Sequence, residues 1–151
     1  MITAEAGQSP VALTASSMAS VSAQPSLLSF SVSALPSAAG ALAQAATVIA
    51  HFLDAQGIEV AKLGVTSGID RFAQAQSGTR LESGETVYDG VRAWVRCEST
   101  ERVPAGESTV YAARDVNSDV ERDVAPSKAG GALVYHNRTW HNLGGHSSLG
   151  S

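Results

Sequence analysis

Thr14-Ala15-Ser16-Ser17 sets three hydroxyls in a row of four residues, with no charge among them. At the end of a strand, hydroxyls and main-chain amides so arranged can hold a phosphate or the polar edge of a ring by hydrogen bonds alone. The same tetrapeptide also reads as a turn of small residues, and both readings stay open at this point. Further along, Ser31 and Ser33 fall on one face of an alternating segment. Ser37 stands where a helix would open, and a helix N-terminus favours an anion. Other residues carry blander readings. His136, His141 and His146 are spaced five apart, which in a strand puts successive members on opposite faces, so no metal site is assigned. His51, in an apolar run, reads as a core or interface histidine, and Cys97 as inert packing. Trp94 and Trp140 read as packing residues, with stacking on a ligand ring as the alternative. The many serines do not mark a hydrolase, because no G-x-S-x-G elbow is present.

The elements that must position these residues follow from hydrophobic period and turn signals. Pro10 to Ala15 reads as a strand after the turn residues Gly7-Gln8-Ser9. Ser26 to Ser33 alternates, with Leu28, Phe30 and Val32 on one side and Ser29, Ser31 and Ser33 on the other. Ser37 can cap a helix over about Ala38 to Ala45. A strand over Thr47 to Leu53 and a helix over about Gln56 to Leu63 follow. A helical turn near Ile69 to Ala73 comes after the breaker Thr66-Ser67-Gly68. The second half reads as strands over Thr86 to Tyr88, Val91 to Thr100, Ser108 to Val116 and Ala132 to His136. A hairpin turn at Pro104 to Glu107 joins the middle two. Asp115 to Asp123 reads as an acidic, solvated loop. Strands, two helical interruptions and more strands suggest a small barrel with helices capping its openings.

Composition narrows the classes. The 151 residues suit one domain able to bury its own core, at 44% hydrophobic. Ten Lys plus Arg against 14 Asp plus Glu give a net charge of -4, with no basic block, which argues against a phosphate-backbone binder. The single cysteine excludes an internal disulfide and a cysteine-rich zinc site, and suits a reducing compartment. The start has no basic, apolar leader pattern. The stretch Ala34 to Leu53 is broken by Pro36, Ser37, Gly40, Gln44, Thr47 and His51, so it is not read as a membrane span. Asn137-Arg138-Thr139 matches a glycosylation sequon that means little without a secretory signal. A cytoplasmic location is expected.

From Thr14 the chain reads T-A-S-S-M-A-S-V-S, then Gln24-Pro25-Ser26-Leu27-Leu28 and the alternating strand through Ser33. This resembles the flavin reductase family, whose pattern is T-A-S-S, an apolar and a small residue, S-V-S, then P-P-L and an alternating strand. Ser26 stands at the second proline of P-P-L. Asp70-Arg71-Phe72, Asp89-Gly90 with Trp94-Val95-Arg96-Cys97-Glu98, and Leu133 to Arg138 match in order, so the resemblance spans about Thr3 to Leu143. It implies a mainly β fold with short helices, the Greek-key, FMN-binding split β-barrel, over residues 1–143, with 144–151 as a flexible tail. It implies a homodimer holding FMN, in some members FAD, at or near the interface. It also implies reduction of flavin by NADH or NADPH and a partner monooxygenase that receives it. By motif position, Thr14, Ala15, Ser16 and Ser17 would contact the flavin ring edge and ribityl chain. Ser31, Val32, Ser33, Ala34, Ser37 and Ala38 would wrap the ribityl-phosphate arm. Arg71 would pair with the phosphate, against the plain alternative of a surface arginine. Tyr135, His136, Asn137 and Arg138 would lie on the nicotinamide side. Hydride transfer to a flavin needs no acid–base triad, so no catalytic residue is assigned.

The chain departs from the family in two places. Many members carry a G-D-H turn whose His is associated with the nicotinamide side, and here the turn is Gly106-Glu107-Ser108. Members also carry a helix and most of a strand ahead of the segment matching Ile2-Thr3-Ala4, so an N-terminally shortened domain with one short strand is expected. Two further readings follow. One is an FMN-binding electron-transfer or carrier protein without efficient NAD(P)H oxidation. The other is a cofactor-free dimeric barrel serving as a structural partner.

Overall fold

β4 (Ser26–Ser33) carries the alternation of its sequence into the structure. In the computed structural model, Phe30 and Val32 are buried while Ser31 is half-buried and Ser33 exposed. The structure describes residues 1–7, 9–15, 17–33, 36–66, 70–72, 78–120 and 130–149. Seven strands form one sheet: β1 (Ile2–Ala6), β2 (Ser9–Leu13), β3 (Ala19–Ala23), β4, β5 (Thr47–Phe52), β8 (Ala93–Ala105) and β9 (Ser108–Val120). Their order is β2-β1-β5-β8-β9-β4-β3, antiparallel at every step. Two separate hairpins, β6 (Gly78–Arg80) with β7 (Thr86–Tyr88) and β10 (Leu133–His136) with β11 (Thr139–Asn142), complete the strands.

The expected mainly β architecture is present. Among the described residues no ladder joins β2 to β3, so the sheet does not close into a hydrogen-bonded barrel. It wraps a core nevertheless, with a second, smaller cluster of Met1, Ala12 and Tyr88 under the helix Ile58–Val65. Ile2 and Ala4 of β1, Phe30 and Val32 of β4, Cys97 of β8, and Tyr111 and Ala113 of β9 pack in a single cluster. Phe30 and Tyr111, opposite each other in register, stack at 5.1 Å. Burial pushes the Cys97 thiol up to about 12, so it stays protonated and unreactive at neutral pH.

Helix α1 (Pro36–Gln44) opens two residues earlier than its sequence signal, because proline at the first helical position costs no hydrogen bond. Ser37 therefore lies inside the first turn instead of capping it. The helix has no basic residue in its last turn. Arg102 of β8 supplies that charge from outside, donating to Ala43 O and, at 3.5 Å, to Ala45 O while lying over the Tyr111 ring. Helix α2 (Ile58–Val65) follows a 3-10 turn capped by Asp54, whose carboxylate accepts from the amides of Gln56 and Gly57. Of the helical turn expected over Ile69 to Ala73, Asp70 to Phe72 are described: Arg71 and Phe72 form a turn in which the Phe72 amide donates to Asp70 Oδ1 at 2.9 Å, while Ile69 and Ala73 lie outside the described residues.

The β6–β7 hairpin docks on the sheet through polar contacts. Thr3 donates to Thr86 O at 2.7 Å, and the Tyr88 amide donates to His51 Nε2 at 3.2 Å. Buried Glu85 accepts from the Thr47 hydroxyl and from Arg96 Nε at 3.1 Å.

Candidate functional site

A cavity of about 410 Å³ opens where four distant segments meet. Thr14, Ala15 and Met18 come from the run after β2, and His51, Phe52 and Leu53 from the end of β5. Ala61 and Val65 come from α2, and Leu133, Val134, Tyr135 and Trp140 from the β10–β11 hairpin. Met1 completes the lining. The walls are mainly apolar, and the polar side chains at their base are already engaged. Thr14 Oγ1 donates to Ala61 O at 2.9 Å. His51 is 2% exposed; its Nε2 accepts from Tyr88, which leaves the proton on Nδ1, 3.3 Å from Met1 O. Burial, with repulsion from the nearby Met1 ammonium, drives the imidazole down to about 4, so it is neutral at physiological pH.

The T-A-S-S run is seated by close backbone approach. Gly64 in α2 faces it so tightly that an added Cβ would lie 2.1 Å from Thr14 Oγ1, 2.6 Å from Met1 Sδ and 2.8 Å from Thr14 N. The hydroxyl and thioether could yield, but the amide could not without moving the run. In an open helix Gly64→Ala would stabilise by about 1 kcal/mol. Here overpacking at about 1–3 kcal/mol should outweigh it. The variant is expected to melt at lower temperature, by differential scanning fluorimetry.

Ser17 and Ser31, assigned separately from sequence, meet. Their hydroxyl oxygens are 2.6 Å apart, and the Ser31 amide donates to Ser17 Oγ at 3.1 Å. This contact marks an edge. β3 pairs with β4 over Ser26 to Ser29 and goes no further. Past Ser29, the side of β4 away from β9 is left without a strand partner among the described residues. In an antiparallel strand alternate residues turn their amides to opposite neighbours. Ser31 and Ser33 therefore present main chain to the open edge, while Val32 is turned to β9 and its side chain, 6% exposed, is spent in the core. Ser33 pairs in register with Ser108, so the Gly106-Glu107-Ser108 turn lies on the β9 side of β4, opposite the open edge, and does not line the cavity.

The remaining sequence-assigned residues divide. Ser16 and Ala34 lie outside the described residues, and Ser37 and Ala38 are in the first turn of α1. Arg71 does not line the cavity. Its Nε and Nη2 donate to Leu63 O and Thr66 O at 3.0 and 2.9 Å, holding the last carbonyls of α2, and its own carbonyl accepts from the Tyr88 hydroxyl at 2.9 Å. Tyr135 lines the cavity, while His136, Asn137 and Arg138 are exposed at the hairpin turn beyond it. Asn137 and Arg138 take φ of 49° and 60° in a two-residue loop, the primed geometry that matches strand twist. Phe52, Leu53, Val65 and Met18 line the cavity without having been singled out as site residues. They are ordinary apolar positions of their elements, and only the tertiary fold distinguishes them. Among the described residues no cluster of His, Cys, Asp or Glu could hold a metal ion.

The arrangement suits a flat, largely apolar ring in the cavity, with an uncharged rail of main-chain amides and serine hydroxyls leading away along β4. A family model described as flavin reductase like domain matches residues 1–144. The NADH:FMN oxidoreductase of Rhodococcus qingshengii is 30% identical over 136 residues, covering 90% of this chain and 70% of that protein. Among solved structures, a flavin reductase domain protein from Arthrobacter sp. FB24 superposes with a TM-score of 0.84 at 23% identity, covering 94% of this chain and 84% of the other. BorF, the flavin reductase component of a bacterial two-component tryptophan halogenase, gives 0.80 at 25% identity, covering 94% and 88%. A longer solved chain from Sinorhizobium meliloti 1021 gives 0.74 at 23% identity, with 80% of this chain matched but 42% of that one.

Proposed function

This chain belongs to the flavin reductase-like family, and we propose that it works there as an FMN-binding oxidoreductase passing hydride from NADH or NADPH to the flavin. The observation that carries the reading is the convergence of Thr14 and Ala15 with Tyr135 on one apolar cavity, beside the open edge of β4 at Ser31. The residues fit such a cofactor. An apolar slot accepts the ring system, and the main chain of Ser33, with the Ser17–Ser31 hydroxyl pair beside it, suits a polyol arm. The first turn of α1 then lies ahead of that arm, where amides favour a phosphate. Arg71 would add charge to the phosphate from the guanidinium face that α2 does not use.

Bound flavin supplies the two-electron chemistry. The chain orients the ring at the Thr14 to Ser17 run, keeps water off it with Met18, Phe52, Leu133 and Val134, and holds neutral His51 out of proton exchange. FAD in place of FMN would need further room beyond the phosphate for its adenylate. A partner monooxygenase fits the same role, since a reductase of this class makes a diffusible product, and BorF is named as such a component.

A homodimer is part of the proposal. Val103 and Val110, paired in register near the tip of the β8–β9 hairpin, are exposed, as are Val21 and Val116, and a second copy would cover them. No described helix is long and apolar enough to cross a membrane. A cytoplasmic site rests on the single cysteine, which suits a reducing compartment. The Gly106-Glu107-Ser108 turn favours a second reading, an FMN carrier that oxidises NAD(P)H poorly.

Purified protein titrated with FMN, then given NADH or NADPH, separates the readings. FMN uptake with steady nicotinamide oxidation supports the reductase, uptake without oxidation the carrier, and no uptake rejects both. Ser17→Ala should weaken FMN by about 1–3 kcal/mol, the cost of a hydrogen bond left unmade. An affinity equal to the parent's would remove Ser17 from the site.

A further inference from the structure

We propose that Trp140 is a specificity-determining residue which, with Tyr135, presents the aromatic face that seats the nicotinamide ring. The inference rests on the reading above that NADH or NADPH passes hydride to a flavin ring seated in this cavity, so that the nicotinamide must reach the cavity mouth. Two of the polar side chains on the walls are unavailable to it: the Thr14 hydroxyl is donated to Ala61 O, and both His51 nitrogens are engaged. The turn at which the family resemblance places a nicotinamide-side histidine is Gly106-Glu107-Ser108, beside Ser33 and off the cavity wall. The C-terminal wall contributes Tyr135 and Trp140, two of the aromatic side chains that line the cavity.

That wall is built to hold an aromatic surface. Tyr135 and Trp140 are register partners across the β10–β11 hairpin, and their rings lie 4.6 Å apart at 50°. The tight Asn137-Arg138 turn fixes the register. Tyr135 is 47% exposed and Trp140 half-buried, and both line the cavity that Thr14 and Ala15 line from the run after β2. A ring stacked on this pair would be bound by its face and not by hydrogen bonds. Indole is also the strongest side-chain partner for a cationic ring. The oxidised nicotinamide carries that charge and the reduced one does not, so the oxidised form should feel Trp140 more.

The test uses the FMN-loaded protein with Trp140→Leu, which keeps apolar bulk without a π face, and Trp140→Phe, which keeps a smaller one. NAD+ binding is measured by calorimetry, with NADH kinetics and FMN affinity alongside. Trp140→Leu should raise the NAD+ Kd about tenfold or more and the NADH KM by less, with kcat and FMN Kd within about twofold. Trp140→Phe should recover most of the loss. The proposal is overturned if FMN affinity falls while the nicotinamide constants hold. It is also overturned if all constants move together with the melting temperature in both variants, or if none moves. A parent protein that takes up FMN yet neither binds NAD+ nor oxidises NADH would reject the reductase reading itself.

Discussion

Gly131→Ala is expected to detach the C-terminal hairpin from the cavity while leaving the seven-stranded sheet in place. A Cβ at Gly131 would lie 1.8 Å from Leu143 O, 2.1 Å from Asn142 Oδ1 and 2.9 Å from Leu143 C. The Asn142 side chain can rotate away, but the Leu143 carbonyl is main chain in a tied crossing. Leu143 donates its amide to Ala132 O, and Ala55 donates to Gly131 O, each at 2.9 Å. No rotamer relieves the contact, so one of these bonds must open. Overpacking of about 1–3 kcal/mol and a lost hydrogen bond of about 1 kcal/mol together predict a loss of about 2–4 kcal/mol, or roughly 4–16 °C in melting temperature for a chain of this size. The damage should be local. Hydrogen exchange should quicken over β10 and β11 and stay slow over β4 and β9, and the nicotinamide constants should suffer more than flavin affinity. Unchanged exchange in β10 and β11 would show that the crossing accommodates a methyl group.

That crossing explains why so much of the site could not be read from the chain. β4 was legible to the residue, because Leu28, Phe30 and Val32 alternate with serines and one face is buried. β8 ran past its expected end at Thr100 to Ala105, since pairing with β9 outweighs the polar run Glu98 to Arg102. β3 carried little signal: Ala, Ser and Val at an exposed edge look like the turn before them. β11 was missed because Asn137-Arg138 adopts left-handed backbone without a glycine to announce it. Thr14 and Ala15, singled out by their motif, line the cavity. The cavity itself was not legible, since its walls come from 14–18, 51–53, 61–65 and 133–140, and no local pattern ties those segments together. Arg71 shows the converse. Its motif pointed to a phosphate, and nothing local announced that two of its nitrogens also hold the end of α2.

His51 should set the acid limit of the protein. Its imidazole accepts the Tyr88 amide at Nε2, so the proton that would charge it has no place without breaking the bond that docks β7. The folded-state value near 4 lies below the ordinary 6.5. Between those values the unfolded chain binds a proton that the folded chain refuses, so stability falls as pH drops through that window and gains nothing further from this group above it. A gap of that size corresponds to about 3 kcal/mol. Replacing the residue separates this effect from the carboxylates that titrate nearby. His51→Leu strands the Tyr88 amide and the Met1 carbonyl, at about 1–3 kcal/mol each, so the variant should be markedly less stable at pH 7. Its stability should nevertheless change less than the parent's between pH 6.5 and 4, and urea unfolding across that range measures both. Equal slopes would mean that the parent accepts the proton without penalty, and that the neutral imidazole is not what ties the cavity wall to the β6–β7 hairpin.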